Sequence, residues 1–439
     1  MNVLVIGSGG REHALIWKIK QSPLVKKIFC APGNAGIAQL AECVHIEPDQ
    51  IENFLKFAVS HRIDLTVVGP EVPLVSGIVD QFQQKKLKIF GPSKEAARLE
   101  GSKVFAKEFM RRHSIPTANF QVYTEMKRAM HFFKVLKKDN YPVVIKADGL
   151  AAGKGVVICH SLEEAQRTLE EMIEKKIFKE SGAQVVIEEC LKGEEVSILA
   201  ISDGEDFVLL DSAQDHKRIF DDDLGPNTGG MGAYSPTPFV SKSLLREIAS
   251  TIIEPTITGM HEEGHPFKGV LYAGLMLTQE GPFVLEFNAR FGDPETEVVL
   301  PRLKSDLVPV FLASCDGDLS EVRLEWDKRV CLCVVMSSGG YPGEYETGKE
   351  IAGLNLVEDK KNAIIFHAGT KQVDGKIVTA GGRVLGVTSL GKNIEEAIEN
   401  AYSLVDKITF DKCFFRRDIG AKGLAKSLQK PGRSHVSNF

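Results

Sequence analysis

The run F-V-L-E-F-N-A-R-F-G-D-P-E, residues 283–295, alternates so that Glu286, Asn288 and Arg290 fall on one face of a strand. A carboxylate, an amide oxygen and a guanidinium at that spacing suit a divalent ion held between nucleotide phosphates, with the arginine beside a transferring phosphoryl group. A cross-strand salt bridge on the surface would give the same pattern. A second run, V-I-K-A-D-G-L-A-A-G-K-G-V at 144–156, ends an apolar strand on Lys146 and continues through Gly149, Gly153 and Gly155. The ammonium would point where phosphates can lie, and the glycines would make a flap. No G-K-[ST] opens a helix here, so this is not a Walker loop; a strand-end surface lysine is the plain alternative.

In V-V-I-E-E-C-L-K-G-E-E-V-S, residues 185–197, acidic side chains follow directly on an apolar strand. They would be odd in a core and suit sugar hydroxyls or an adenine amino group, although each taken singly also suits solvated surface. The opening run V-L-V-I-G-S-G-G-R-E-H, residues 3–13, delivers a strand to Gly7, Gly9 and Gly10 and then to Arg11. Bare backbone N–H groups at a helix start, with a fixed positive charge beside them, suit a phosphate; a plain tight turn would look the same. Glu12 stands where G-x-G-x-x-G needs its last glycine, so the dinucleotide fingerprint is only half met. A nicotinamide-linked oxidoreductase would rest on Gly7–Gly10 alone. A nucleotide sensor without catalysis would not need the Glu286/Asn288/Arg290 face. There is no convincing Ser/His/Asp or Cys/His nucleophile set.

These groups must be held by regular elements. Short apolar strands Val3–Ile6, Asp64–Gly69 and Leu87–Gly91 end in glycines, and a helix at Glu12–Lys20 follows the first. That texture predicts a parallel sheet with helices on both faces, with Gly7–Arg11, Gly69–Glu71 and Gly91–Ser93 along its ligand-binding edge. From about Gly101 the texture changes. Helix Lys103–His113 stops before Ile115-Pro116; strands Val143–Lys146, Val156–Ile158 and Val185–Glu188 surround a helix at Leu162–Lys175, and Glu195–Ile201 alternates. Residues 211–236 are polar and rich in glycine and proline, and are expected to form a long functional loop. A helix at 241–263 precedes strands Gly269–Leu277 and Pro282–Phe287. The last hundred residues carry strands at 330–336, 364–367 and 384–388 and a helix near Ile394–Ile408.

With 439 residues the chain exceeds one ordinary core and suggests roughly three domains at about 150 residues each. Its net charge of −5 announces no general polyanion-binding surface, which argues against nucleic acid as a main partner. Eight cysteines show neither a C-x-x-C pair nor zinc spacing, so buried reduced thiols are expected, Cys331 and Cys333 among them. The chain opens directly on a strand, and no apolar stretch approaches the ~20 residues of a membrane span. A soluble, reducing, cytoplasmic setting is expected, with no membrane partner.

Taken with P-G-N-A-G (32–36), V-G-P-E-V-P-L (68–74), Q-D-H-K-R (214–218) and G-P-N-T-G-G-M-G-A-Y-S-P (225–236), these strings resemble the phosphoribosylamine–glycine ligases of the ATP-grasp superfamily. The resemblance runs from Met1 to about Lys422. It implies an α/β and α+β multidomain fold: an N-terminal Rossmann-like parallel-sheet domain at 1–100, an ATP-grasp domain at 101–325 with a mobile lid near 120–190, a small C-terminal α+β domain at 326–425, and a loose tail at 426–439. It also implies ATP as co-substrate with Mg²⁺ or Mn²⁺, and ligation of glycine to phosphoribosylamine through glycyl phosphate. An ATP-grasp carboxylase using bicarbonate is the near alternative, and other purine-pathway enzymes are candidate partners.

Residue by residue, the resemblance places Lys103 and Lys146 at the ATP phosphates, Glu188 and Leu191 at the adenine, and Glu195 at the ribose. Glu286 and Asn288 would hold the metal. Gly9, Gly10 and Arg11 would receive the sugar phosphate. Glu71, Asp215, Asn227, Thr228 and Arg290 would line the substrates, with Lys146, Arg290 and Asp215 serving catalysis. Many ATP-grasp members carry a further metal-binding acid on the preceding strand, where this chain has Tyr272-Ala273-Gly274.

Overall fold

In the computed structural model, which describes residues 1–135, 141–150, 155–174, 184–357 and 362–428, the chain begins with a five-stranded parallel sheet. Its strands are β1 (Asn2–Gly7), β2 (Lys27–Pro32), β3 (Glu42–Cys43), β4 (Leu65–Val68) and β5 (Ile89–Phe90), in the order β3-β2-β1-β4-β5. Successive β1 side chains point to opposite faces. Leu4 and Ile6 pack on Phe54 and Phe82 of helices Ile51–Ser60 and Ile78–Gln84, whereas Val3 and Val5 meet Leu15 and Ile19 of α1 (Gly10–Ile19). Burial on both faces is why these strands read as unbroken apolar runs. The strand order reverses between β1 and β4, which puts the switch-point crevice beyond Gly7 and Gly69.

A second sheet follows, with β6 (Phe120–Tyr123), β7 (Val143–Ala147), β8 (Val156–Cys159) and β9 (Val185–Glu189) in the order β6-β9-β7-β8. It has a core of its own, in which Ile145, Ala147 and Ile187 pack on Ala129, Phe133, Ala165 and Leu169 of two covering helices. The expected helix Leu162–Lys175 leaves α geometry after Leu169 and continues as a π turn over Glu170–Glu174. Lys175, residues 151–154 of the glycine-rich run and residues 429–439 of the expected tail lie outside the described residues.

The chain continues through β10 (Glu194–Asp203), β11 (Phe207–Leu209), β12 (Gln214–Asp215), β13 (Arg218–Phe220), β14 (Leu224–Asn227) and β15 (Gly232–Ser235). The long strands β16 (Lys268–Thr278) and β17 (Gly281–Asn288) then complete an antiparallel sheet, β11-β10-β16-β17. Helix Lys242–Ile248, a π turn and helix Glu254–Glu262 realise the helix expected at 241–263.

The remaining strands are β18 (Val330–Ser338), β19 (Ala363–His367), β20 (Thr370–Val373), β21 (Lys376–Thr379), β22 (Arg383–Gly391) and β23 (Cys413–Phe414). One sheet runs β12-β15-β18-β22-β19, with β23 also on β18. This corrects the loop expected at 211–236. That segment forms a hairpin, β13–β14, and two strands that extend the C-terminal sheet, β15 pairing Gly232 with Val334 and Ser235 with Cys331. Glycines and polar side chains hid the strands because their partners lie about a hundred residues downstream.

All eight cysteines are unpaired, with Cys331 and Cys333 fully buried as expected; Cys43, by contrast, is exposed. Among the described residues, no helix is long and apolar enough to cross a membrane.

Candidate nucleotide and acceptor site

Strand β17 carries the predicted face. Gly274 of β16 lies opposite Glu286, and Leu275 lies opposite Val284, so Leu285 is an extra residue at a bulge. Its carbonyl accepts from Lys146 Nζ at 2.9 Å. Glu286 stays partly open, with a side chain 38% exposed. Arg290, just beyond the strand, donates to Asn288 Oδ1 at 3.3 Å and lies 3.0 Å from Glu100 Oε1 and 3.4 Å from Glu71 Oε2. The guanidinium therefore braces Asn288. Burial opposes its charge, but Glu100, Glu71 and Glu295 outweigh that and raise its pKa above the ordinary arginine value.

Lys103 opens helix Lys103–Arg112, whose N-cap Ser102 accepts from the Phe105 N–H at 3.0 Å. Asp148, at the start of the glycine-rich run, also accepts there, from Ser102 Oγ at 2.9 Å and Val104 N–H at 3.1 Å. Lys103 Nζ in turn donates to Gly149 O at 2.7 Å. The helix start and the loop are thus tied together, which places Lys103 beside Lys146.

Lys146 forms a buried ion pair with Glu188, and the other Glu188 oxygen is held by Lys107, which also donates to Thr117 Oγ1 at 2.7 Å. Glu188 was expected at an adenine, yet its carboxylate faces two ammonium groups and is 3% exposed. Burial lowers the Lys107 pKa to about 8, with Lys146 adding to the effect. For Glu188 burial works the other way, but the two lysines overcome it and hold the carboxyl below its usual range. Leu191 is half-buried on the link between β9 and β10, and Glu195 is exposed at the start of β10.

Lys217 was not singled out in the sequence, where it follows Asp215 in a polar run. Its Nζ stands 3.5 Å from both Glu195 Oε2 and Glu286 Oε1. The Lys217 ammonium is the largest influence on Glu286; burial opposes it, but with Lys146, Lys103 and Arg290 it brings that carboxyl down to about 2. Only alternation past Asp215 could have flagged Lys217.

On the acceptor side, Asp215 accepts the His216 N–H at 2.6 Å; burial, then the charge of Glu295, holds its carboxyl well above the usual range. Glu295 accepts from Ser197 Oγ and Tyr272 OH, each at 2.8 Å. Thr228 donates to Lys217 O at 2.9 Å and accepts from the Gly230 N–H at 3.0 Å, so its hydroxyl fastens the loop. Asn227 pairs with Arg218 across the hairpin. Arg383, from the C-terminal sheet, donates to Gly229 O at 2.6 Å and lies 3.0 Å from Asp293 Oδ1. No residue beyond Arg290 had been expected at the site.

At the expected phosphate cradle the groups are already engaged within the protein. Gly9 N–H is taken by Glu12 Oε2 at 2.6 Å, and a Cβ at Gly7 would lie 2.5 Å from Glu12 Cδ. The glycines leave room for an inward carboxylate, which fills the crevice where a dinucleotide pyrophosphate would sit. Gly10 faces Glu297 in the same way. Arg11 is buried, bonding Glu12 Oε1 at 2.6 Å and Phe291 O at 3.2 Å. Glu71 reaches Arg290 rather than open solvent.

Glu286 and Asn288 offer a carboxylate and an amide oxygen, hard donors fitted to Mg²⁺ or Mn²⁺. Among the described residues no group of three or more His, Cys, Asp or Glu side chains could hold a metal by itself, so phosphate oxygens would supply the remaining ligands.

Two antiparallel sheets, one bearing Lys146 and the other Glu286 and Asn288, enclose this cationic cleft, and that arrangement defines an ATP-grasp enzyme. Models of the phosphoribosylglycinamide synthetase N domain, ATP-grasp (A) domain and C domain match residues 1–100, 101–296 and 331–422. The chain belongs to the phosphoribosylglycinamide synthetase family. It is 52% identical over 421 residues to a phosphoribosylamine–glycine ligase of Caldanaerobacter subterraneus, covering 96% of this chain and 100% of that one. A phosphoribosylamine–glycine ligase of Escherichia coli is 51% identical, over 97% of this chain and 99% of the other. A phosphoribosylamine–glycine ligase crystal structure from Thermotoga maritima superposes with a TM-score of 0.82 at 37% identity, covering 95% of this chain and 100% of that one. The biotin carboxylase domain of Hydrogenobacter thermophilus 2-oxoglutarate carboxylase shares the fold, with a TM-score of 0.74 at 16% identity over 94% and 91% of the two chains.

Proposed function

We propose that this enzyme joins glycine to 5-phospho-D-ribosylamine at the expense of ATP, giving glycinamide ribonucleotide, ADP and phosphate. The observation that carries the reading is the convergence of Lys103, Lys146, Glu286, Asn288 and Arg290 on one cleft, in a chain about half identical to ligases of that name throughout its length. Likeness to carboxylases at 16% identity is a likeness of fold alone.

In this reading the γ-phosphoryl group passes to a glycine carboxylate oxygen, ADP leaves, and glycyl phosphate forms. The 1-amino group of phosphoribosylamine then attacks the acyl carbon, loses a proton and expels phosphate. No side-chain nucleophile is needed, so catalysis rests on positioning and charge. Lys103 and Lys146 bind the phosphates, Glu188 aligns Lys146, and Leu191 and Glu195 border the adenine and ribose. Glu286 and Asn288 hold Mg²⁺ or Mn²⁺, which neutralises charge on the phosphates. Asp215, Asn227, Thr228 and Arg290 lie nearest the two substrates. The setting is the cytoplasm, alongside the other enzymes of purine synthesis.

The test is ADP release with ATP, Mg²⁺, glycine and phosphoribosylamine made in situ, omitting each in turn. Full turnover should need all four. Bicarbonate-stimulated ADP release without glycine would overturn the assignment.

A further inference from the structure

Two thiols meet where the first sheet hands over to its loops. Cys30 of β2 and Cys43 of β3 are direct partners in the parallel ladder. Adjacent strands lie about 4.7–4.9 Å apart, and side chains at paired positions share a face. That spacing is inside the range of about 4.4–6.8 Å between Cα atoms that a disulfide spans. Both sulfurs turn to one backbone contact. The Gly33 N–H donates to Gly7 O at 3.1 Å, and Cys30 Sγ donates to the same oxygen at 3.3 Å. Cys43 Sγ leans on Gly33 itself, where an added Cβ would lie 2.5 Å from the sulfur.

The two thiols differ in access. Cys30 is fully buried, whereas Cys43 is the exposed one among the eight described cysteines. β3 is an edge strand of two residues, so it can close on β2 without disturbing a further strand. Burial, then Cys43 and Glu12, raise the Cys30 pKa well above the ordinary thiol value. Burial also raises that of Cys43, with the Asn34 N–H opposing it, so the pair rests as thiols. The loop beside them is tightly tied. Asn34 Nδ2 donates to Ser8 O at 2.8 Å and to His367 O at 2.7 Å, and its Oδ1 accepts the Gly36 and Ile37 N–H groups at 3.0 and 2.9 Å. The turn that carries Ser8 abuts the acceptor wall, since a Cβ at Gly9 would lie 3.4 Å from Asp293 Oδ2.

We propose that Cys30 and Cys43 form a redox modification site, which a low-molecular-weight disulfide oxidises to an intramolecular bridge that loosens the acceptor edge. The small disulfide meets the exposed Cys43 first. The Cys43 thiol gives up its proton, its sulfur attacks, and the expelled small thiolate takes that proton. Cys30 then gives up its proton and attacks the Cys43 sulfur, releasing the second small thiol. Two electrons pass to the small disulfide. The bridge removes the Cys30 S–H from Gly7 O and draws Cys43 Sγ off Gly33. Its effect on the acceptor rests on the function proposed above; its formation does not.

The experiment incubates the reduced, full-length protein with oxidised glutathione, alkylates it, and weighs the tryptic peptide Ile28–Lys56, which holds both cysteines. That peptide should arrive unalkylated and lighter by a pair of hydrogens, and dithiothreitol should reverse the change. Cys30→Ala should stop at a glutathione adduct on Cys43, and Cys43→Ser should leave Cys30 reduced. A wild-type peptide that stays fully alkylated, or that keeps the adduct on Cys43 with Cys30 free, would overturn the proposal. So would a bridge that forms only in urea. With the bridge in place, KM for phosphoribosylamine should rise roughly three- to tenfold, the worth of one hydrogen bond. KM for ATP should not change, and Cys43→Ser should be indifferent to the oxidant. An unchanged KM for phosphoribosylamine would overturn the link to the acceptor edge. Reduced enzyme that turns over fully without phosphoribosylamine would instead sink the proposed function, leaving the mass result to stand by itself.

Discussion

Replacing Lys107 by Met tests how the phosphate lysine is held. Lys107 is 2% exposed and shares Glu188 with Lys146, so the buried group is two ammoniums around one carboxylate. Met fills nearly the same volume, and no cavity should open. Thr117 keeps its own bond to Val284 O at 2.7 Å, and Glu188 keeps Lys146 beside Oε1, so what the free enzyme loses is the single donor at Glu188 Oε2. The stability loss should therefore be near that of one charged hydrogen bond, about 2 kcal/mol. Nucleotide binding is affected more. In the wild type Lys146 can turn to phosphate while Lys107 still neutralises Glu188. In Lys107→Met that move leaves a lone buried carboxylate, a situation costing about 3–5 kcal/mol. Even the lower figure is about a hundredfold in Kd. Titration calorimetry with ATP–Mg²⁺, without glycine, measures the affinity, and urea denaturation measures the stability. Lys107→Arg should recover most of both. If ATP affinity is intact while stability falls, Lys107 is a core group with no part in aligning Lys146.

Glu286→Gln should lower kcat by about 10² or more, if the clamp supplies a few kcal/mol, while its half-open ion pairs cost at most about 1 kcal/mol of stability; full activity with unchanged metal dependence would remove it from the site. Arg11→Ala breaks a buried pair with Glu12 and should cost about 3 kcal/mol in urea denaturation; a stable variant with a raised KM for phosphoribosylamine alone would put Arg11 at the sugar phosphate instead. Burial, and then the nearby His367, brings the His13 imidazole down to about 3, so the fold holds it neutral. Its folded pKa lies below the unfolded 6.5, so its contribution is complete above pH 6.5 and is lost as pH falls towards 3. Relative to His13→Asn, the wild type should lose about 1 kcal/mol between pH 6.5 and 5.5; a constant difference between the two would refute this. The amides of Gly149, Leu150, Gly155 and Val156 should gain hydrogen-exchange protection on adding ATP–Mg²⁺, and exchange indifferent to nucleotide would remove these positions from the phosphate site.

Elements whose partners are near in sequence, or whose burial is complete, were legible. β1 and β4 are apolar on both faces and end in glycine, and Glu286 and Asn288 follow strand alternation. β12 and β15 were not, because a two-residue strand ending in Asp215 and a strand opening on Gly232 have no pattern of their own. Their pairing comes from β18. The site divides similarly. Lys146 and Arg290 could be read from motif strings, but Lys107, Glu100, Lys217 and Arg383 enter through tertiary approach from four different segments. At Gly7–Gly10 the residue types suggested an open anion cradle. Glu12, the one position that breaks the glycine pattern, turns inward and fills it.

The sharing of β12 and β15 with the C-terminal sheet constrains how the protein can be made and divided. On a ribosome, the segment bearing Asp215 and Lys217 emerges well before β18, so it waits without its principal partner until the last quarter of the chain is synthesised. A fragment ending near residue 325 would contain every residue first read as functional, yet β15 would present a bare edge and Arg383 would be missing from Gly229 and Asp293. Such a fragment should be prone to aggregation at that edge. A cut in the helical segment around 241–263 would bare the same β15 edge and the edge of β10 as well, because both β16 and β18 would lie on the other piece.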